Sequence, residues 1–336
     1  MVEGARLESV YTVKGIKGSN PFLSANNILF IIMYYQSKNM KVIIDKKFQV
    51  IINYFLKKKN KCYKIFFFFF KNFIKGPFIL DFEDYKFFSY PQKKNLSRWM
   101  LKNLRPWDFD TINLINNLLG NDKSLFVDCG VNYGAYSIPI SKKKNTTVIS
   151  FDPSKKALSE FKKNIKLNNS KNIKYYNCGI SDSISKSFFS DNLNNFKNSG
   201  EYSFARLQSS YKVSTTTLDS FFKSYNLNVY KIIVIKLDIE GYEFNALLGM
   251  KKILLNYNVI VFFEFSRMLI NKNNFDFKKF QNFLDQCNLK ILDLSLNKIN
   301  IKDVLYKFSK LEKKRNTIGD YILVNKSFKN IIKLRK

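Results

Sequence analysis

The sequence contains no histidine. A histidine-dependent triad and a histidine-ligated metal are therefore excluded within this chain. Its four cysteines, Cys62, Cys129, Cys178 and Cys287, are scattered and form no CxxC pair. Neither a zinc site nor a disulfide framework is indicated, and reduced thiols in a cytoplasmic protein are the simplest expectation. Arginine is scarce beside lysine. Arginine is the preferred residue for bidentate phosphate and base recognition. The formal net charge of +31 is thus a weak pointer to nucleic acid, which is disfavoured as a partner. Lysine, asparagine, isoleucine and phenylalanine are all abundant, as A/T-rich codons dictate, so the charge reads as a solvated surface. Apolar runs are short. Ile28 to Tyr35 and Phe66 to Phe70 both fall well below a membrane span. Glu3 and Glu8 stand among the first ten residues with no apolar run directly after them, so no secretory leader is expected.

What is present is a globular composition, 46% hydrophobic over 336 residues. Two regions separate by pattern. Residues 1–95 are Lys-rich and aromatic without α/β alternation, and read as an N-terminal extension or small accessory region. Residues 96–336 alternate strand-like and helix-like segments, as a doubly wound sheet requires. Strands are expected at 124–128, 146–151, 173–177, 232–237 and 259–263, with closing strands at 290–294 and 321–324. Helices are expected at 110–119, 136–142, 154–168, 243–255 and 277–287, with Gly120 as a stop and Ser154 as an N-cap. The polar stretch from Ser181 to Leu218 is long for a loop, and long ordered loops often serve as lids or binding elements.

The chemistry concentrates at the ends of the strands. The first ends in Asp128, followed by Gly130 and Gly134. Glycine directly after a strand allows a tight turn and close backbone approach to a ligand. The second strand ends in Asp152, at the distance where an acidic residue accepts hydrogen bonds from ribose hydroxyls. The third leads to Ser181 and Asp182, where an aspartate can accept from an adenine amino group. The loop lacks the third glycine of G-x-G-x-x-G, which favours a methyl donor over a nicotinamide dinucleotide.

The stretch Val127-Asp128-Cys129-Gly130-Val131-Asn132-Tyr133-Gly134 resembles the first motif of FkbM-family methyltransferases. The likeness continues through Phe151-Asp152-Pro153, Asn164, Asn168-Asn169, Ser181-Asp182 and Thr217-Leu218-Asp219. Its most diagnostic part is Ile235-Lys236-Leu237-Asp238-Ile239-Glu240-Gly241-Tyr242-Glu243, and Glu264 also fits. It spans about residues 105–325. The resemblance implies a Rossmann-like class I methyltransferase fold: a mostly parallel seven-stranded sheet with a closing antiparallel hairpin. It implies S-adenosyl-L-methionine as cofactor and O-methylation of a hydroxyl on a sugar, glycan or other small metabolite. By position, Asp128, Gly130, Asn132 and Gly134 would line the methionine moiety, Asp152 would hold the ribose, and Ser181 and Asp182 would line the adenine end. Val131 and Asp152 depart from the family's usual Ala and Glu.

Methyl transfer from a sulfonium needs positioning and exclusion of water, and a hydroxyl acceptor also benefits from a base. Without histidine the candidates are carboxylates: Asp238, Glu240 and Glu264. Glu243 falls in a helix's first turn, where a negative charge suits the dipole. Glu264 has Arg267 as a potential partner. No metal is expected. Two other readings remain open at this point: an RNA methyltransferase, and a non-catalytic module that keeps the fold.

Overall fold

The computed structural model describes residues 42–44, 78–89, 96, 99–100, 105–189, 211–266, 276–304 and 317–325. The apolar runs at 28–35 and 66–70, and Arg267, lie outside them. The chain divides into two units, Met1–Trp107 and Asp108–Lys336. In the first, strands β1 (Val42–Ile44), β2 (Phe78–Asp81) and β3 (Lys86–Ser89) form a small sheet, with β1 parallel and β3 antiparallel to β2. Tyr85 and Phe87 are buried and meet edge to face.

The second unit is built on one sheet. Its strands are β4 (Ser124–Cys129), β5 (Thr146–Phe151), β6 (Ile173–Tyr176), β10 (Ile232–Leu237), β11 (Val259–Ser266), β12 (Lys290–Leu292), β13 (Lys298–Ile299) and β14 (Thr317–Val324). The order is β13-β12-β14-β11-β10-β4-β5-β6. β6, β5, β4, β10 and β11 run parallel, while β14 is inserted antiparallel between β11 and β12. The expected seven strands are present. The two-residue β13 makes an eighth, paired antiparallel to β12 at the edge. Every residue of β4 is buried, and so is all of β10 after Ile232. This explains their mostly apolar, non-alternating sequences, because a sheet covered on both faces has no solvent side to mark with polar residues.

Helices flank the sheet. They are α1 (Phe109–Leu119), α2 (Ser137–Ile140), α3 (Lys155–Asn168), α4 (Leu218–Phe221), α5 (Glu243–Leu248), α6 (Lys251–Asn256) and α7 (Phe277–Gln286). α3 begins as its sequence dictates: the Ser154 hydroxyl accepts from the Ala157 amide at 3.0 Å. The single helix expected over 243–255 is instead two, α5 and α6, broken at Gly249-Met250. The cause is tertiary. A Cβ on Gly249 would stand 2.1 Å from the Ser181 carbonyl oxygen, and the Gly249 carbonyl accepts from the Asp219 amide. The Asp219 carboxylate then accepts from the Lys252 and Ile253 amides, which start α6.

The Ser181 to Leu218 stretch is not only loop. Within and beside it, β7 (Gly179–Ile180), β8 (Ser185–Phe189) and β9 (Tyr211–Thr216) form a second small sheet in the order β7-β9-β8. Residues 190–210 lie outside the described segments.

The chain leaves β4 outward through β5 and β6, then returns to place β10 on the other side of β4. The order reverses between β4 and β10. In open α/β sheets the crevice at the carboxyl ends of such strands is where ligands bind.

Candidate functional site

Three residues in the turn after β4 have left-handed backbone: Gly130 (φ +88°), Asn132 (φ +52°) and Gly134 (φ +85°). The Gly130 and Val131 amides both donate to the Phe151 carbonyl at the end of β5, at 2.9 and 3.0 Å. A Cβ on Gly130 would stand 1.9 Å from the Asp238 carbonyl oxygen, and one on Gly134 would stand 2.3 Å from the Phe161 ring. The turn is thus pressed against the end of β10 on one side and α3 on the other. Asn164 of α3 adds a hydrogen bond from its Nδ2 to the Tyr133 carbonyl at 3.0 Å.

Asp152 clamps this turn. Its Oδ2 accepts from the Asn132 amide and its Oδ1 from the Ser154 amide, both at 2.8 Å. The Asn132 Oδ1 is buried and has no hydrogen-bond partner. Asp128 lies deeper, 2% exposed, and accepts from the Ser137 hydroxyl at 2.5 Å. Ser137 also bonds Ser150 at 2.9 Å. Burial pushes the Asp128 carboxyl up to about 6, opposed by the Ser137 bond and by Lys236. Asp182, at the surface, accepts from the Ser181 and Ser183 hydroxyls and from Asn245 Nδ2 of α5.

The second cluster follows β10. The Asp238 amide donates to the Cys129 carbonyl, closing the β4/β10 ladder. Its carboxylate is partly exposed and holds the Lys236 ammonium at 2.8 Å. Lys236 is only 6% exposed and lies 4.4 Å over the Tyr136 ring. The Tyr136 hydroxyl donates to Asp108, which also accepts from Thr111 Oγ1 at 2.9 Å. Burial alone would lower the Lys236 pKa, but the carboxylates of Asp238 and Asp320 and the neighbouring Tyr136 together hold it well above the ordinary lysine value.

The remaining acids take different places. Glu243 is fully buried, and its Oε1 accepts from the Ile239 and Gly241 amides at 3.1 Å while Oε2 accepts from Gly241 at 3.0 Å. It stands in the first turn of α5, as expected, and from there also fastens the preceding turn from inside. Burial pushes it up to about 7. Glu240 occupies that turn with φ +55°. Glu264 stands opposite Asp320 across the β11/β14 ladder. Burial, and then Asp238, Glu243 and Asp320, push it up to about 8.

The structure therefore gathers Asp128, Gly130, Asn132, Gly134 and Asp152 around one turn, and Asp238 and Glu264 at the neighbouring strand ends. Ser181 and Asp182 are joined to α5 rather than hydrogen-bonded to the glycine turn. Sequence reading missed Lys236, Tyr136, Asp108 and Asp320. Lys236 had a visible signal, being the single charge inside an otherwise apolar strand. The other three had none, because they meet only through the fold.

The raised carboxyls give a pH prediction. Asp128, Glu243 and Glu264 have folded-state pKa values of about 6, 7 and 8, above the unfolded values near 4. The folded state binds more protons in that window, so these groups favour folding most below their unfolded pKa. Their contribution is lost as pH rises through the folded values. The thermal midpoint is expected to fall from about pH 5 to pH 8, where ordinary carboxylates are already ionised. A midpoint that rises over this range contradicts the assignment. Asp128→Asn should flatten the lower part of the fall.

Comparison with known proteins bears on the same residues. The model of the methyltransferase FkbM domain matches residues 128–291, just under half of the chain. No curated relative matches the sequence significantly. Among solved structures the chain is similar to M. jannaschii TYW2 in complex with AdoMet, at 9% identity over 75% of this chain and 86% of that one, TM-score 0.35. It is similar to a TehB-like SAM-dependent methyltransferase from Corynebacterium glutamicum, at 12% identity over 68% and 95%, TM-score 0.33. A precorrin-6y C5,15-methyltransferase from Geobacter metallireducens is 10% identical over 64% and 86%, TM-score 0.32.

Proposed function

We propose that this chain is an S-adenosylmethionine-dependent methyltransferase, a reading supported by the match of residues 128–291 to the FkbM domain model, and that it acts on oxygen, at a hydroxyl of a sugar, glycan or other small metabolite. The residues present fit the cofactor. Its methionine end carries an ammonium, and the buried Asn132 Oδ1 is an acceptor in need of a donor. Its sulfonium is cationic, and the adjoining end of β10 carries the Asp238 carboxylate. Asp128, Gly130, Asn132 and Gly134 hold the methionine end. Asp152 serves the ribose, both directly and by holding the Asn132 amide, and Ser181 and Asp182 serve the adenine.

The bound cofactor supplies an electrophilic methyl group. The chain's own work is to bind and orient the acceptor and to take its proton. Asp238 is the base: its carboxylate accepts the hydroxyl proton as the oxygen attacks, and Lys236 keeps it fixed at 2.8 Å. Glu240 and Glu264 flank it and bind further hydroxyls of the acceptor. The observation that carries this reading is the Asp238 carboxylate, partly exposed beside the glycine turn in a chain without histidine. Acids at this edge also disfavour a phosphate-rich acceptor such as RNA.

The test is transfer of labelled methyl from S-adenosylmethionine to a panel of monosaccharides, glycans and bulk RNA. Base-stable label on a sugar hydroxyl is the expected result. Salt-sensitive labelling of RNA with none on any glycan would mean that the acceptor class is wrong.

A further inference from the structure

Lys236 is a charged side chain in the central strand of the sheet, and the catalytic reading above gives it only the task of holding Asp238. Its surroundings go further. The ammonium is paired with Asp238 at 2.8 Å on one side and lies 4.4 Å over the face of Tyr136 on the other. Tyr136 belongs to the segment that closes the glycine turn: the Gly134 carbonyl accepts from the Ile138 amide, and the Tyr136 carbonyl from the Ile140 amide. Its hydroxyl is tied to Asp108, the residue that precedes α1 and whose carbonyl accepts the Ile112 amide. One buried cation thus joins the donor-side turn after β4 to the carboxylate after β10, across the point where the strand order reverses.

We propose that Lys236 is a positioning residue that couples the donor turn to the Asp238 carboxylate, so that donor affinity depends on a side chain behind the turn. The inference rests on the assignment of the glycine turn to S-adenosylmethionine. Two features support it. A lysine brought to 6% exposure forfeits most of its hydration. A structure retains such a group only where pairing and ring contact replace that hydration, and here both replacements come from opposite walls of the crevice. A desolvated ammonium over an aromatic face is also worth more than an exposed one. The contact to Tyr136 is therefore a real restraint on the turn.

Calorimetric titration of the full chain with S-adenosylmethionine tests this without any acceptor. Folded K236M and Y136L are each expected to bind about tenfold more weakly than the parent protein. Combined, they should lose less than the product of the two effects, because they break one shared contact. Y136F keeps the ring face and should recover most of the affinity lost in Y136L. A merely structural lysine would lower the thermal midpoint and leave the affinity of the folded protein alone. Parent-like affinity in Y136L overturns the proposal even if K236M does not fold, and strictly multiplicative effects overturn it too. If the parent protein itself does not bind S-adenosylmethionine, it is the donor assignment that fails.

Discussion

Gly130→Ala is expected to abolish S-adenosylmethionine binding in calorimetric titration and to lower the thermal midpoint by several degrees. The argument is steric and local. An alanine Cβ would stand 1.9 Å from the Asp238 carbonyl oxygen and 2.9 Å from its carbon. These are backbone atoms, so no side-chain rotation relieves the overlap. Asp238 cannot retreat alone, because its amide is bound to the Cys129 carbonyl at 3.1 Å. Gly130 cannot retreat either, because its own amide is bound to the Phe151 carbonyl at 2.9 Å. Relief requires the ends of β4 and β10 to part, which opens the crevice proposed to hold the donor. The backbone adds to the cost: φ of +88° is unfavourable for any residue with a Cβ. Overpacking of this kind costs about 1–3 kcal/mol, and the left-handed backbone adds roughly 1 kcal/mol. Parent-like donor affinity in G130A would show that the turn does not touch the cofactor. Gly134→Ala meets the Phe161 ring instead, at 2.3 Å. A ring can shift where a carbonyl cannot, so the milder loss is expected there.

The parts of this fold that were legible in the sequence are those governed by local pattern. β10 and β11 are apolar almost throughout, and β4 and β5 are buried runs with few polar residues, because both faces of the sheet are covered. Ser154 marks a helix start through its side-chain oxygen and Gly120 a helix end through its positive φ. The glycine turn after β4 was legible because glycine at positive φ is a chemical necessity that leaves a mark in the sequence. What escaped was set by contacts distant in the chain. Gly249 breaks a helix because Ser181 lies against it, and nothing between residues 243 and 255 records that neighbour. The strand pair β8 and β9 is separated by more than twenty residues, and its alternation is diluted by serine and threonine. Lys236 reads as an intrusion in a strand until Tyr136, a hundred residues earlier, is brought beneath it. Asp152 was read as a ribose ligand, whereas its two oxygens also hold the backbone of the turn and of the following helix.

Glu243 separates the two kinds of reading most sharply, and its replacement should have the largest effect on stability. A glutamate in a helix's first turn at the surface is worth about 0.3–1 kcal/mol through the dipole. The structure instead buries the carboxyl completely and gives it the Ile239 and Gly241 amides. Those amides sit in a turn where Glu240 and Gly241 are both left-handed, at φ +55° and +100°. Glu243→Ala removes the carboxyl that accepts from the Ile239 and Gly241 amides, at about 1–3 kcal/mol for each lost bond, and opens a cavity as well. A loss of roughly 3–5 kcal/mol is expected in urea unfolding, far beyond the dipole figure. Glu243→Gln keeps one oxygen and most of the volume, so its loss should be intermediate. Because the Glu243 carboxyl is pushed up to about 7, Gln should also cost least, relative to the parent, above neutral pH. There the parent must hold a buried negative charge, or take up a proton, while the amide does neither. If Ala costs less than about 1 kcal/mol, the Glu243 carboxyl contributes no more than a dipole partner would and does not fasten this turn. The turn that carries Asp238 would then be held by something else.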